Sequence, residues 1–162
     1  MIRRATDADA ATLARIWHDA WHDAHDGHVP PGLVAARTRA TFDERVGALL
    51  PRAMVAEVDG RVAGFVTVDE DELELLFVDA GRRGTGVAAE LVATAEERGA
   101  TWLSVVTGNA RARRFYERQG YADTGADQET VTVAGTAYRI DGRRYVRSAR
   151  TTGPAPRRSP DR

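Results

Sequence analysis

The stretch Gly81 to Leu91, GRRGTGVAAEL, sets three glycines and two arginines within six positions. It follows the apolar run LELLFV, Leu73 to Val78, and precedes an alanine-rich amphipathic segment. Where a strand hands over to a helix, the first helical amides are unpaired and carry the positive end of the helix dipole behind them. Such an end binds anions, phosphate above all. Gly84 and Gly86 let the backbone come close to an anion, because a Cβ would hold it off, and successive N–H groups in such a turn form an anion-binding nest. Arg82 and Arg83 add positive charge at the same place.

Other phosphate-binding patterns fit less well. No Gly-Lys-Ser/Thr follows, so this is not a P-loop. GTGVAA imitates a dinucleotide fingerprint, but there the glycines follow the strand almost at once and an acidic residue ends the next strand. Here DAGRR intervenes, and the next strand ends in TGN.

Working outward, the order is mixed α and β. MIRRA reads as a short strand, and Thr6 with Asp9 as a capping box opening a helix to about Ala24, with Leu13, Ile16, Trp17 and Ala20 at helical spacing. DGHVPPG breaks it. A second helix is expected over Leu33 to Leu50, with Val34, Thr41, Phe42, Val46 and Leu49 inward and Pro51 at its end. AMVAEVDGRVAGFVTV gives two strands joined at Asp59-Gly60, a pair that accepts positive backbone angles, and Leu73 to Val78 a third antiparallel strand. The glycine joint then opens a helix stopped by Gly99; TWLSVVT is a buried strand, and the strand-helix-strand unit predicts a right-handed parallel crossover. A short helix follows, capped by Asn109 and closed by Gly120, then a strand pair expected around Asp141-Gly142. Residues 148–162, rich in proline and without periodicity, are expected to be a disordered tail after a single domain over 1–147.

Composition narrows the function. A chain of 162 residues is one domain's worth, with 43% hydrophobic and 29% charged residues, as in ordinary globular proteins. There is no cysteine, hence no disulfide, thiolate zinc site or cysteine nucleophile. All 23 basic residues are arginine, and the net charge of −1 offers no overall basic surface for nucleic acid. No apolar run approaches the roughly 20 residues of a membrane span. The N-terminus lacks a signal-peptide core, so the expected location is cytoplasmic.

Two separated motifs carry a resemblance. RGTGVA supplies Arg83, Gly86 and Ala88 in the pattern Arg/Gln-x-x-Gly-x-Gly/Ala; downstream, Asn109, Ala112, Phe115, Tyr116, Gly120 and Tyr121 fill the pattern Asn-x-x-Ala-x-x-Phe-Tyr followed by Gly-aromatic. On these motifs the chain resembles the GNAT superfamily of acyl-CoA-dependent N-acetyltransferases from about Met1 to Arg147. The resemblance implies an α+β fold, a central mostly antiparallel sheet with one parallel, splayed strand pair and flanking helices. It also implies acetyl-CoA as co-substrate, with the amides of Arg83, Gly84, Thr85, Gly86, Val87 and Ala88 on its pyrophosphate. The backbone of Leu76, Phe77 and Val78 would hold the pantetheine arm, with Asn109 and Ala112 as further contacts.

In that chemistry a neutral amine attacks the thioester directly and CoA thiolate leaves. The amine proton needs a base or a water relay, because a lysine-like amine has a pKa near 10.4. Glu72 and Glu74 share one strand face by period-two alternation, expected to be that of Leu76 and Val78; Glu72 is the first choice and solvated glutamates the alternative. Tyr116 matches the family's general acid and is suited to protonate the thiolate, the alternative being an aromatic that packs the last helix. Phe115 beside it is expected to do that packing.

The four histidines all fall in the first helix and the loop after it. His18, His22 and His25 share a helical stripe beside Trp17 and Trp21. The resemblance implies that the first two helices and their connection wall the acceptor site, so Trp17, His18, Trp21 and His22 are the expected wall of an acceptor pocket, with one histidine as an alternative base. A water-facing polar helix face is the plainer reading. With Asp19, Asp23 and Asp26 near, two histidines four apart also suit a metal, but the adopted reading has no metal. Its acceptor is a small-molecule amine; protein N-termini or lysines, and a non-catalytic acyl-CoA-binding regulatory domain, are the alternatives. The closing strands are also suited to pair across a homodimer.

Overall fold

Asp59 and Gly60 turn as their residue types allow, with φ of +52° and +71°. They join β2 (Ala53–Val58) to β3 (Arg61–Asp69) in the computed structural model, which describes residues 1–148. Before them come β1 (Ile2–Arg4), α1 (Ala10–His25), α2 (Pro31–Ala36) and α3 (Arg39–Leu49). After them follow β4 (Glu72–Val78), α4 (Val87–Glu97), β5 (Trp102–Val106), α5 (Ala110–Arg118), β6 (Tyr121–Val133) and β7 (Thr136–Arg147). Among the described residues no helix is long and apolar enough to cross a membrane. Of the expected tail, only Ser148 is described; its N–H donates to the Gly120 carbonyl at 2.9 Å, and residues 149–162 lie outside the described residues.

The strands form one sheet in the order β1-β2-β3-β4-β5-β7-β6, antiparallel except for β4 beside β5. This is the expected α+β architecture. One face of the sheet packs α1 and α3 through Leu13, Ile16, Trp17, Phe42 and Phe65. The other packs α4 through Val66, Leu91, Val92 and Ala95. Leu91 is fully enclosed, so Leu91→Ala would cost about 2–5 kcal/mol. The entry to α1 behaves as its capping pair suggests: the Asp9 carboxylate accepts from the Thr6 N–H at 2.8 Å and from the Arg3 guanidinium at 2.8 and 3.0 Å.

Three expectations need correction. The single helix expected over Leu33 to Leu50 is two helices, α2 and α3, broken at Arg37 and Thr38. The Arg37 carbonyl bonds to His22 Nε2 at 2.6 Å, which takes it out of the helical ladder. The closing hairpin turns at Ala134-Gly135, with φ of +49° and +80°, and not at Asp141-Gly142. Gly142 lies inside β7, paired with Val106 and Asp127, where a Cβ would come 2.8 Å from the Asp127 carbonyl oxygen; glycine serves a close strand approach there.

The third correction concerns β4. Thr67 pairs with Leu75 but Val68 pairs with Leu73, which leaves Glu74 as an extra residue in a bulge. The bulge reverses the alternation. Leu73, Leu76 and Val78 pack on the α4 side, Leu75 and Phe77 on the α1 side, and Glu74 bonds to the Thr67 side chain. Glu72 and Glu74 therefore share the face of Leu75 and Phe77, not that of Leu76 and Val78.

Candidate active site

β4 and β5 pair only at Glu72 and Trp102. Beyond that point the strands part, β4 keeping β3 on its other edge and β5 keeping β7. A cavity of about 650 Å³ occupies the gap. Both strands line it, Glu72 to Val78 on one side and Leu103 to Val106 on the other. The β4 edge facing it offers backbone N–H and C=O groups without strand partners, which a ligand in the gap can use.

At the mouth stands the glycine joint. Gly84 and Gly86 have φ of +74° and +88°, and a Cβ on either would meet no protein atom within 4 Å. Left-handed backbone explains glycine there, and the space beside it stays free for a ligand. The first helical bond of α4 runs from Glu90 N–H to the Gly86 carbonyl at 3.1 Å, so the amides of Val87, Ala88 and Ala89 are the orphan donors of that helix end. Arg82, Arg83, Gly84, Gly86 and Ala88 line the cavity. Thr85 and Val87 do not: the Thr85 hydroxyl donates to the Arg82 carbonyl, and the Val87 side chain is buried against α4's core. Arg83 is engaged by Asp23 of α1 at 2.8 Å. The loop leading in is braced by Asp79, whose carboxylate accepts from Arg15 at 2.8 Å and from the Gly81 N–H at 3.1 Å; the Arg15 guanidinium holds it below the usual carboxylate range.

Asn109 caps α5, its side chain accepting from the Ala112 N–H at 3.1 Å, and both residues line the cavity. Tyr116 lines it too, but its ring is also core, edge-on to Phe115 at 5.1 Å and to Tyr121 at 6.0 Å. Phe115 does not relieve it of packing, as the sequence suggested; Tyr116 does both. Burial pushes its phenol well above the ordinary tyrosine value, with Tyr121 adding to the effect.

Glu72 and Glu74 both line the cavity in different settings. Glu74 is held by Arg52 at 3.0 Å and by the Thr67 hydroxyl at 3.0 Å. Glu72 is raised above the ordinary glutamate value by burial first, then by Glu74, Glu129, Asp69 and Asp127. A carboxylate that resists ionisation is a better proton acceptor once ionised.

Of the expected acceptor wall, Trp17 and Trp21 line the cavity and His18 and His22 lie outside it. His18 bonds to Asp19 and His22 to the Arg37 carbonyl. The histidine that reaches the cavity is His25, stacked on Trp21 at 4.4 Å with Nδ1 2.7 Å from the Trp21 carbonyl; burial lowers its pKa to about 4. Its position four residues beyond Trp21 was the available signal. Sequence reading also missed Arg37, Arg45, Asp127 and Glu129, all in the lining. Arg45 was detectable as an arginine between Phe42, Val46 and Leu49 on the inward side of α3, and its guanidinium lies 4.6 Å over the Trp17 ring. Among the described residues no group of three His, Asp or Glu is placed to hold a metal ion.

Comparison with known proteins follows the same outline. The family model described as acetyltransferase (GNAT) domain matches residues 38–141. An uncharacterised N-acetyltransferase of Mycobacterium tuberculosis is 36% identical over 134 residues, 74% of this chain and 86% of the relative. The peptidyl-lysine N-acetyltransferase YjaB of Salmonella typhimurium is 30% identical over 132 residues, 78% of this chain and 86% of the relative. Among solved structures, a GCN5-related N-acetyltransferase from Rhodopseudomonas palustris superposes with a TM-score of 0.68 at 22% identity, covering 89% of this chain and 93% of that one. The yncA protein of Salmonella typhimurium, solved with its cofactor acetyl-CoA, gives 0.63 at 17% identity, covering 96% of this chain and 98% of that one.

Proposed function

Because the chain belongs to the GNAT family of acetyltransferases, an N-acetyltransferase by its domain and relatives, we propose that it moves the acetyl group of acetyl-CoA directly onto a primary amine of a small molecule. One observation carries the donor side. The unpaired edge of β4 and the free amides at the start of α4 open into one cavity, as a long ligand with a pyrophosphate would need.

In this reading the residues from Arg83 to Ala88 form the pyrophosphate cradle, with Arg82 and Arg83 supplying charge. Thr85 and Val87 contribute through the backbone alone, since their side chains are turned elsewhere. Leu76, Phe77 and Val78 offer backbone groups to the pantetheine arm and hold the thioester carbonyl as an oxyanion contact. Asn109 and Ala112 shape the far wall. Acetyl-CoA, when bound, supplies the activated acyl carbon.

Glu72 removes the amine proton, directly or through one water, as the N–C bond forms. Glu74, fixed by Arg52 and Thr67, keeps negative charge beside Glu72 and so sustains its basicity. As the C–S bond breaks, Tyr116 gives its proton to the departing sulfur. Burial keeps the phenol protonated at neutral pH and so always a donor to the sulfur. Because a thiol near 8.5 is the stronger acid, the proton moves as negative charge builds on the sulfur in the transition state, and CoA thiol releases it to water afterwards.

A small acceptor is supported by the roof of the cavity. The β6–β7 hairpin brings Asp127, Glu129, Val131 and Ile140 over the acceptor end, which narrows it toward a pocket. The similarity to YjaB, a peptidyl-lysine acetyltransferase, favours a protein acceptor as the second reading. β6 lies at the sheet edge and is the strand through which a homodimer would form, and the cytoplasm is the compartment this reading assigns.

Calorimetric titration with acetyl-CoA tests the donor, comparing wild type with Gly86→Glu, which fills the cradle. Micromolar binding, about −8 kcal/mol, abolished by the change supports the reading. A screen of small amines against lysine peptides, read by CoA release, then separates the two acceptors. Donor binding without turnover on any amine would favour a regulatory acyl-CoA-binding domain instead.

A further inference from the structure

Arg37 is the anomaly in the cavity. It is nine-tenths buried, lines the acceptor end, and has no ion pair or side-chain hydrogen bond among the described residues. Its Nε is enclosed without any acceptor. Of the other arginines lining the cavity, Arg82 pairs with Asp59 and Arg83 with Asp23, while Arg45, Arg111 and Arg118 make no ion pair among the described residues but are exposed to water. Beside the cavity Arg15 pairs with Asp79, and Arg52 pairs with Glu74 although its own Nε is also without an acceptor. An unpaired buried charge is costly, and proteins that keep one ordinarily have a partner for it. Arg37 is also rigidly placed, because its carbonyl is bonded to His22 and its N–H donates to the Leu33 carbonyl at 3.0 Å.

A second guanidinium accompanies it. Arg45 sits over the Trp17 ring at the same end of the cavity and likewise makes no ion pair among the described residues. Opposite them stand the carboxylates Glu72, Asp127 and Glu129. The acceptor end is thus divided into a basic side from the break between α2 and α3 and from α3 itself, and an acidic side from β4 and β6. Neither side neutralises the other within ion-pair distance.

Building on the acetyltransferase reading above, we propose that the acceptor is an amine that also carries a carboxylate, held by the Arg37 guanidinium with Arg45 at the rim while its amino group faces Glu72. A planar guanidinium grips a carboxylate through two parallel N–H bonds, which a lysine in the same place does not do. The acidic side draws the cationic amine and the basic side the carboxylate, so the acceptor is oriented before the proton leaves. Transfer forms the N–C bond, breaks the C–S bond, and leaves the carboxylate of the product untouched. A peptide lysine has no carboxylate at that distance and leaves Arg37 unpaired.

The test uses the full chain with acetyl-CoA and a panel of free amino acids, from α-amino acids to β-alanine and 4-aminobutyrate. Each is matched with its carboxamide and its phosphonate, and turnover is read by CoA release. The acids are expected to exceed their amides in kcat/KM by about 10- to 100-fold, the worth of a charged hydrogen-bonded contact. Arg37→Met should shrink that ratio toward one, chiefly through KM, and Arg37→Lys should leave an intermediate ratio. Acetyl-CoA titration of each variant shows whether the donor site is intact, and circular dichroism shows whether the chain is folded.

Equal use of acid and amide, preference for the phosphonate or for a lysine peptide, or an acid-to-amide ratio unmoved by Arg37→Met would each overturn the proposal. So would intact donor binding with no acid in the panel acetylated. Loss of donor binding in the wild type would instead overturn the acetyltransferase reading beneath it.

Discussion

Arg83 Nη2 lies 2.8 Å from Asp23 Oδ2, so the glycine joint is tied to α1 across 60 residues of sequence. The arginine nearest the cradle is thus already partnered. Both side chains are substantially exposed, 30% and 50%, and such pairs are worth about 0.2–1 kcal/mol. Asp23→Asn should release Arg83 toward a bound pyrophosphate and tighten acetyl-CoA binding by about 2- to 5-fold. Calorimetry decides, and unchanged or weaker binding would show that Arg83 serves the α1 contact alone.

Gly86 and Gly99 form a controlled pair. Both have positive φ, +88° and +99°, and a Cβ on either meets open space. Alanine at each should cost about 1–2 kcal/mol through the left-handed backbone alone. At Gly86 the new methyl also projects toward the cradle, so Gly86→Ala should weaken acetyl-CoA binding by about 10-fold while Gly99→Ala leaves it unchanged. Equal affinities in the two variants would remove the cradle from Gly86.

These glycines were readable in advance because a positive φ is a local demand that residue type answers directly. The same holds for Asp59-Gly60 and for the Asn109 cap. What the chain does over longer range was not readable. The break between α2 and α3 depends on a bond from His22 to a carbonyl 15 residues away, and without it Leu33 to Leu50 has the composition of one helix. Arg37 therefore looked like a mid-helix surface residue. The face of Glu72 and Glu74 turned on a bulge set by how Thr67 and Val68 pair, a choice made by the partner strand. On α1 the stripes were legible but not their direction; packing against Phe42 and Phe65 turns Trp17 inward, and His18 takes the flank.

Tyr116→Phe separates packing from chemistry, since the ring and its contacts with Phe115 and Tyr121 are kept. Loss of the acid should lower kcat by about 10-fold or more, with donor affinity retained. Burial raises the phenol, so the wild type should show no loss of kcat from tyrosine ionisation below about pH 10. An unchanged kcat in the variant would reduce Tyr116 to a core aromatic.

Glu72 gives opposite signs for activity and stability. Its carboxyl is raised by burial and by Glu74, Glu129, Asp69 and Asp127, so the folded state holds that proton more tightly than the unfolded chain does. Its contribution to stability is therefore full at low pH and lost as pH rises through the raised value. Glu72→Gln, neutral throughout, should melt higher than wild type at pH 7, and the gap should close below about pH 4.3, the ordinary glutamate value. The same change removes the base: kcat should fall by about 100-fold and the acidic limb of the pH–rate profile should disappear. Glu74→Gln keeps Glu72 but lowers its basicity, so it should shift that limb toward lower pH without removing it. If Glu72→Gln kept both the rate and the limb, the base would lie elsewhere, and His25, neutral above about pH 4 on the same cavity wall, would be the residue to change next.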